Sequence, residues 1–84
     1  MIKFKAHIDI MPMEELLDPQ GKVVTQSLHK LGLNEIDHVR IGKHITLTIT
    51  AASEADAKNK VDDACKKLFA NLIMERYSFT LTQV

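Results

Sequence analysis

Asp37-His38-Val39-Arg40-Ile41-Gly42-Lys43-His44-Ile45-Thr46-Leu47-Thr48-Ile49-Thr50 is the stretch on which the fold turns. Val39, Ile41, Ile45, Leu47 and Ile49 all fall on odd positions, and side chains two apart on a strand share a face. A two-residue hairpin at Gly42-Lys43 would pair Ile41 with His44 and set Ile45, Leu47 and Ile49 opposite Val39 and Ile41. One continuous strand, interrupted only by Lys43, keeps all five apolar residues together. The spacing therefore favours a long, bent central strand from about Asp37 to Thr50, bulged near Gly42. At about 3.3 Å per residue it would span about 45 Å. That is long for a chain of 84 residues, so one end is expected to extend into another subunit's sheet. A ferredoxin-like hairpin at Gly42-Lys43 is the rival.

Upstream, Ile2, Phe4, Ala6, Ile8 and Ile10 alternate with Lys3, Lys5, His7 and Asp9, the pattern of an antiparallel strand covered on one face. The run from Met11 to Leu17 breaks the alternation, and Pro12 cannot serve a central ladder. Asp18-Pro19 then opens a helix: the carboxylate caps it, and proline at the first helical position loses no hydrogen bond. Val24, Leu28 and Leu31, with Val23 beside them, give its apolar stripe, and Gly32 stops it. Downstream, Ser53 caps a second helix, with Asp56 at the acidic position of a capping box. Ala57, Val61, Ala64, Cys65 and Leu68 form its stripe. Tyr77, Phe79 and Leu81 alternate with Ser78, Thr80 and Thr82 in a last strand.

The expected architecture is α+β, in the order β-α-β-α-β: a two-layer sandwich with both helices on one face of an antiparallel sheet. The other face would carry Lys3, Lys5, His7, Asp9, His38, Arg40, His44, Thr46, Thr48 and Thr50, polar enough for solvent or a wet partner interface. Residues 1–84 read as a single domain. A chain this short buries only about 60–65% of its unfolded surface. The single cysteine allows no internal disulfide. Association with a second copy is the remaining common support, hence an expected homodimer or dimer of dimers.

Eleven basic and eleven acidic residues cancel, which argues against nucleic acid as a partner. No apolar run approaches membrane-spanning length. The alternating N-terminus lacks the apolar core of a signal peptide. The cytoplasm is the expected compartment.

The chemistry-bearing residues do not converge on a reaction. His38 and His44, six apart on one strand, would lie about 20 Å from each other, too far to share an ion. Cys65 sits mid-helix on the apolar stripe, where a thiol is inert. Glu14-Glu15 and Asp62-Asp63 are sequence neighbours that do not face each other on a helix. Gly21, Gly32 and Gly42 do not have phosphate-loop spacing. No catalytic, cofactor-binding or metal-ligating residue is assigned.

The stretches Leu17-Asp18-Pro19-Gln20-Gly21-Lys22, Leu28-His29-Lys30-Leu31-Gly32-Leu33 and Val39-Arg40-Ile41-Gly42-Lys43-His44-Ile45 resemble the PurS family. So do Ala51-Ala52-Ser53-Glu54, Lys67-Leu68-Phe69-Ala70-Asn71 and Tyr77-Ser78-Phe79, so the resemblance covers nearly the whole chain. Two loops depart from it: Met11-Pro12-Met13-Glu14-Glu15-Leu16 stands where Lys-Pro-Gly-Val is common, and Asn71-Leu72 where Asn-Pro is common. The resemblance implies the small subunit of formylglycinamidine ribonucleotide (FGAM) synthase, an ATP-dependent, glutamine-hydrolysing ligase complex of purine biosynthesis. Such a subunit is a homodimer that bridges the glutaminase and the large synthetase and assists ammonia transfer. It has no activity alone and binds no cofactor; ATP and magnesium belong to the synthetase. The candidate partner-interface residues are Asp18, Pro19, Gln20 and Gly21 at the helix opening, and Arg40, Gly42 and Lys43 at the strand bend. A small-molecule-sensing regulatory module built on the rival hairpin is the alternative.

Overall fold

The structure, a computed structural model, describes residues 1–14 and 18–84. The part of the expected break on 15–17, and Leu17 of the first family stretch, lie outside the described residues. Three strands and two helices follow in the expected order: β1 (Ile2–Pro12), α1 (Pro19–Lys30), β2 (Lys43–Ala51), α2 (Glu54–Ala64) and β3 (Glu75–Gln83). The sheet is antiparallel throughout, in the order β2-β1-β3. β1 takes the centre, and its alternation shows why: Phe4, Ala6, Ile8 and Ile10 are all buried, while Lys3, Lys5 and Asp9 face out. Pro12 is tolerated because β2 pairs with β1 only as far as Ile10, leaving Met11 and Pro12 to β3 alone.

α2 lies across the apolar face. Ser53 Oγ accepts from Asp56 N at 3.1 Å, and the Asp56 carboxylate accepts from Ala52 N at 3.3 Å, so the expected cap forms. Ala57, Val61 and Cys65 are buried in the sequence of one-turn steps that the stripe requires. The expected next member, Leu68, is instead 78% exposed. The helix widens into a π-turn over Cys65–Phe69, closed by Ala70 N donating to Cys65 O at 2.9 Å. The extra residue in that turn rotates Leu68 outward and brings Phe69 against the core.

Two further expectations are corrected. The long central strand is a shorter edge strand, since β2 begins at Lys43. Its anticipated first half is held by side chains rather than by a ladder: Val39 N donates to Thr25 Oγ1 at 3.2 Å and Ile41 N to Asp18 Oδ2 at 3.0 Å. His38 has a positive φ of 55°, incompatible with a strand. His38 and Arg40 therefore leave the polar sheet face to which the pattern assigned them. The rival hairpin is absent too, because the chain enters β2 directly from Gly42.

The second correction concerns α1. It does not join α2 on the sheet: Val23, Val24 and Leu31 are exposed, and Gly21 is its only buried residue. α1 lies instead along the segment that follows it, tied by Thr25 to Val39 and by His29, whose Nε2 is 2.8 Å from Ile36 O and 3.2 Å from Asp37 Oδ1. Gly32, at φ 87°, reverses the chain between them. The result is an arm beside a sheet, in a molecule 53 Å long and 14 Å thick.

Candidate functional site

The arm meets the sheet at one junction, built from three stretches of chain. The first is the start of α1. Asp18 caps it, with Oδ1 accepting from Gly21 N at 3.0 Å and Pro19 following at the first helical position. The second is the segment before β2. Ile41 N donates to the other carboxylate oxygen of Asp18, and Arg40 Nε lies 3.6 Å from that oxygen. The third is the end of β1: Arg40 Nη2 donates to Pro12 O at 2.9 Å and to Met13 O at 3.0 Å. Arg40 Nε is buried without a hydrogen-bond acceptor among the described residues, so the charge of Asp18 is what offsets its desolvation. The Gly21 and Ile41 amides, and then Arg40, hold the Asp18 carboxyl below the ordinary 3.8, against an opposing push from partial burial.

Glycine is required at this junction by close approach. A Cβ on Gly21 would stand 2.0 Å from Val39 O, and one on Gly42 would stand 2.3 Å from Ile10 O and 2.2 Å from Met11 Sδ. Lys43 then turns outward, its Nζ donating to Phe69 O at 3.3 Å and lying 3.6 Å from Glu75 Oε2.

All seven residues singled out in the sequence thus come together, although 23 positions separate Asp18 from Ile41. Asp18, Pro19, Gln20, Gly42 and Lys43 line one cleft of about 420 Å³, whose far wall is Asn71, Met74 and Glu75. Gly21 and Arg40 stand behind it and fix its shape. Pro19, Gln20 and Ile41 continue into a shallower apolar groove with Val23 and Val24. The surface offers shape, apolar contact and paired charge.

Sequence reasoning missed two features. Five apolar residues of the arm, Val23, Val24, Leu31, Leu33 and Ile36, are exposed rather than core. The sign available was the sparseness of the α1 stripe, interrupted by Thr25, Gln26, Ser27 and His29. The second is on the outer sheet face, where the β1–β2 register sets His44 Nδ1 2.6 Å from Asp9 Oδ1 and the His7 ring 6.3 Å from that of His44. Alternation gives the face but not the register, so this cluster was not legible. Among the described residues no group of three His, Cys, Asp or Glu side chains is placed to hold a metal. Cys65 is buried, and that burial, with Asp62 nearby, raises its thiol pKa. No helix among the described residues is long and apolar enough to cross a membrane.

A β-α-β-α-β chain with a three-stranded sheet and a projecting arm is a small α+β module, and comparison with known proteins gives the family. The family profile described as PurS, phosphoribosylformylglycinamidine (FGAM) synthase, matches residues 5–83. The PurS subunit of that synthase from Bacillus subtilis is 39% identical over 84 residues, covering 100% of this chain and 96% of the relative. The corresponding subunit from Synechocystis is 43% identical over 67 residues, 80% of this chain and 67% of the relative. Among solved structures, B. subtilis PurS superposes with a TM-score of 0.86 at 38% identity over 94% of this chain and 98% of that one. A chain of the PurLQS structure from Thermotoga maritima gives 0.87 at 27% identity over the whole of both. The chain belongs to the PurS family.

Proposed function

We propose that this chain is the non-catalytic assembly subunit of FGAM synthase in purine biosynthesis, a cytoplasmic homodimer that bridges the glutaminase and the ATP-dependent synthetase. The complex converts formylglycinamide ribonucleotide, glutamine and ATP to FGAM, glutamate, ADP and phosphate. This chain assists delivery of ammonia between the two active sites and binds no cofactor; ATP and magnesium act on the synthetase. The single observation that carries the reading is the arm, which presents exposed apolar side chains and, among the described residues, no core cluster of its own. A second copy suits it. β2 is a free sheet edge whose Ile45, Leu47 and Ile49 are only half-buried, and the arm of a two-fold mate would supply the second helix that its own sheet lacks. The junction cleft is the proposed contact for the larger subunits, lined by Asp18, Pro19, Gln20, Gly42 and Lys43 and shaped from behind by Gly21 and Arg40. A bridge raises the effective concentration of one site at the other without adding chemistry. Membership of the family and the likeness to a chain of PurLQS support an assembly role.

The test is reconstitution of synthetase and glutaminase with and without this chain, driven by glutamine or by added ammonia. Glutamine-driven synthesis should require the chain, and ammonia-driven synthesis should need it much less. Unchanged glutamine-driven turnover on omission would overturn the role. Equal loss of both activities would mean that the chain completes the synthetase site.

A further inference from the structure

Capping alone does not account for Asp18. A cap uses one carboxylate oxygen, and Oδ1 performs that task on Gly21 N. Oδ2 reaches out of the helix, to Ile41 N at 3.0 Å and to within 3.6 Å of Arg40 Nε. Arg40 carries the connection on to the carbonyls of Pro12 and Met13, the last residues of the sheet's central strand and its exit. The three stretches that meet where the arm leaves the sheet are thus joined through one carboxylate and one guanidinium. The Asp18 side chain is 11% exposed and the Arg40 side chain 28%, so water competes weakly for these bonds. Among the described residues the arm has little else to hold its direction, since Val23, Val24 and Leu31 are exposed and no extended contact joins α1 to the sheet.

We infer that Asp18 is a positioning residue for glutamine-dependent synthesis: through Oδ2 and Arg40 it fixes the angle at which the arm leaves the sheet, and so pre-orders the surface offered to partners. This rests on the assembly role proposed above. The entropy of setting the arm is then lost on folding rather than on association, which tightens binding without new contacts. The two oxygens can be tested apart. Asp18→Asn keeps an oxygen for Gly21 N, and asparagine is as good a cap as aspartate. Its amide nitrogen, however, opposes the Ile41 N–H, and its neutrality leaves Arg40 unmatched.

The experiment titrates wild-type and D18N chains into reconstituted synthetase and glutaminase, following glutamine-driven synthesis. Helix content and the exchange rate of the Ile41 amide are measured on each chain alone. For D18N we expect unchanged helix content, faster Ile41 exchange, and a half-saturating subunit concentration raised about tenfold, the cost of one charged hydrogen bond, with the plateau rate preserved. Arg40→Gln should behave alike, and the double variant should be no worse than either single one, since both break the same link. A D18N titration superimposable on wild type would overturn the inference and leave Asp18 a simple cap. Additive losses in the double variant would also overturn it, and this comparison stands even if one variant loses some helix. If glutamine-driven synthesis ignores the wild-type chain altogether, it is the assembly role that fails.

Discussion

The sheet half and the arm are made by different physics. In the sheet half, Ala6, Ile8, Ile10, Val61 and Cys65 are buried in one cluster, and Phe4, Ala51 and Ala57 in a second. Stability there comes from apolar burial, which is non-directional and accumulates over many contacts. In the arm, Gly21 is the only buried residue of α1, and shape is set by a few directional polar bonds from Asp18, Thr25, His29 and Arg40. A hydrophobic core holds a region against unfolding; a small set of hydrogen bonds holds a direction. The division is one of stability against direction: burial keeps the sheet folded, and a few polar bonds aim the arm.

The sharpest way to break the comparison is to truncate one apolar residue in each half. Ile8 is fully buried, and Ile8→Ala should cost about 2–5 kcal/mol in denaturant unfolding. Val23 is 59% exposed, and Val23→Ala should change the stability of the dissociated chain by under about 0.5 kcal/mol. If Val23 belongs to a subunit interface, the same change should weaken self-association in sedimentation at micromolar concentration. Comparable destabilisation of the dissociated chain by both changes would show that the arm shares the core.

Two glycines sharpen it further. Gly42→Ala pushes a methyl group into Ile10 O and Met11 Sδ at the junction, an overpacking expected to cost about 1–3 kcal/mol and to displace the arm. Gly32→Ala meets no atom within 4 Å but must hold φ near 87°, a strain of about 1 kcal/mol confined to the arm. Amide chemical shifts should therefore move in both halves for G42A and only around the α1 terminus for G32A.

The smallest effects are in pH dependence, and the halves should respond at opposite ends of the scale. Asp18 has a depressed pKa, so its contribution is present above the unfolded value near 3.8 and is lost as pH falls through the lower folded value. The junction should stay intact at pH 5 and loosen only in stronger acid, followed by exchange at Ile41. Tyr77 donates to Asp62, and that bond, with burial and the neighbouring carboxylate, raises its pKa to about 12. The contribution of this raised group is complete below the unfolded 10.0 and is lost as pH rises through the folded value. Tyr77 is the only tyrosine, so ultraviolet titration reads it directly. Ionisation near 10 in the folded chain would show that the Asp62 bond does not hold the Tyr77 proton.

The sequence by itself determined the elements whose signals are local. Alternation fixed the faces of β1 and β3, and Asp18-Pro19, Gly32 and Ser53 marked the helix ends, because caps and pleats depend on residues within a few positions of each other. Family stretches led to the residues of the junction. Tertiary structure alone decided where these elements go. The odd-numbered pattern of 39–49 could not reveal that Asp18 and Thr25 would take the amides of Ile41 and Val39 from a strand ladder. Nor could the stripe of α2 reveal the π-turn that exchanges Leu68 for Phe69. The stripe of α1 said that an apolar face existed and not what would cover it. A hydrogen bond between distant stretches and the burial of a face both depend on which surfaces meet, and that is a property of the folded whole rather than of any window along the chain.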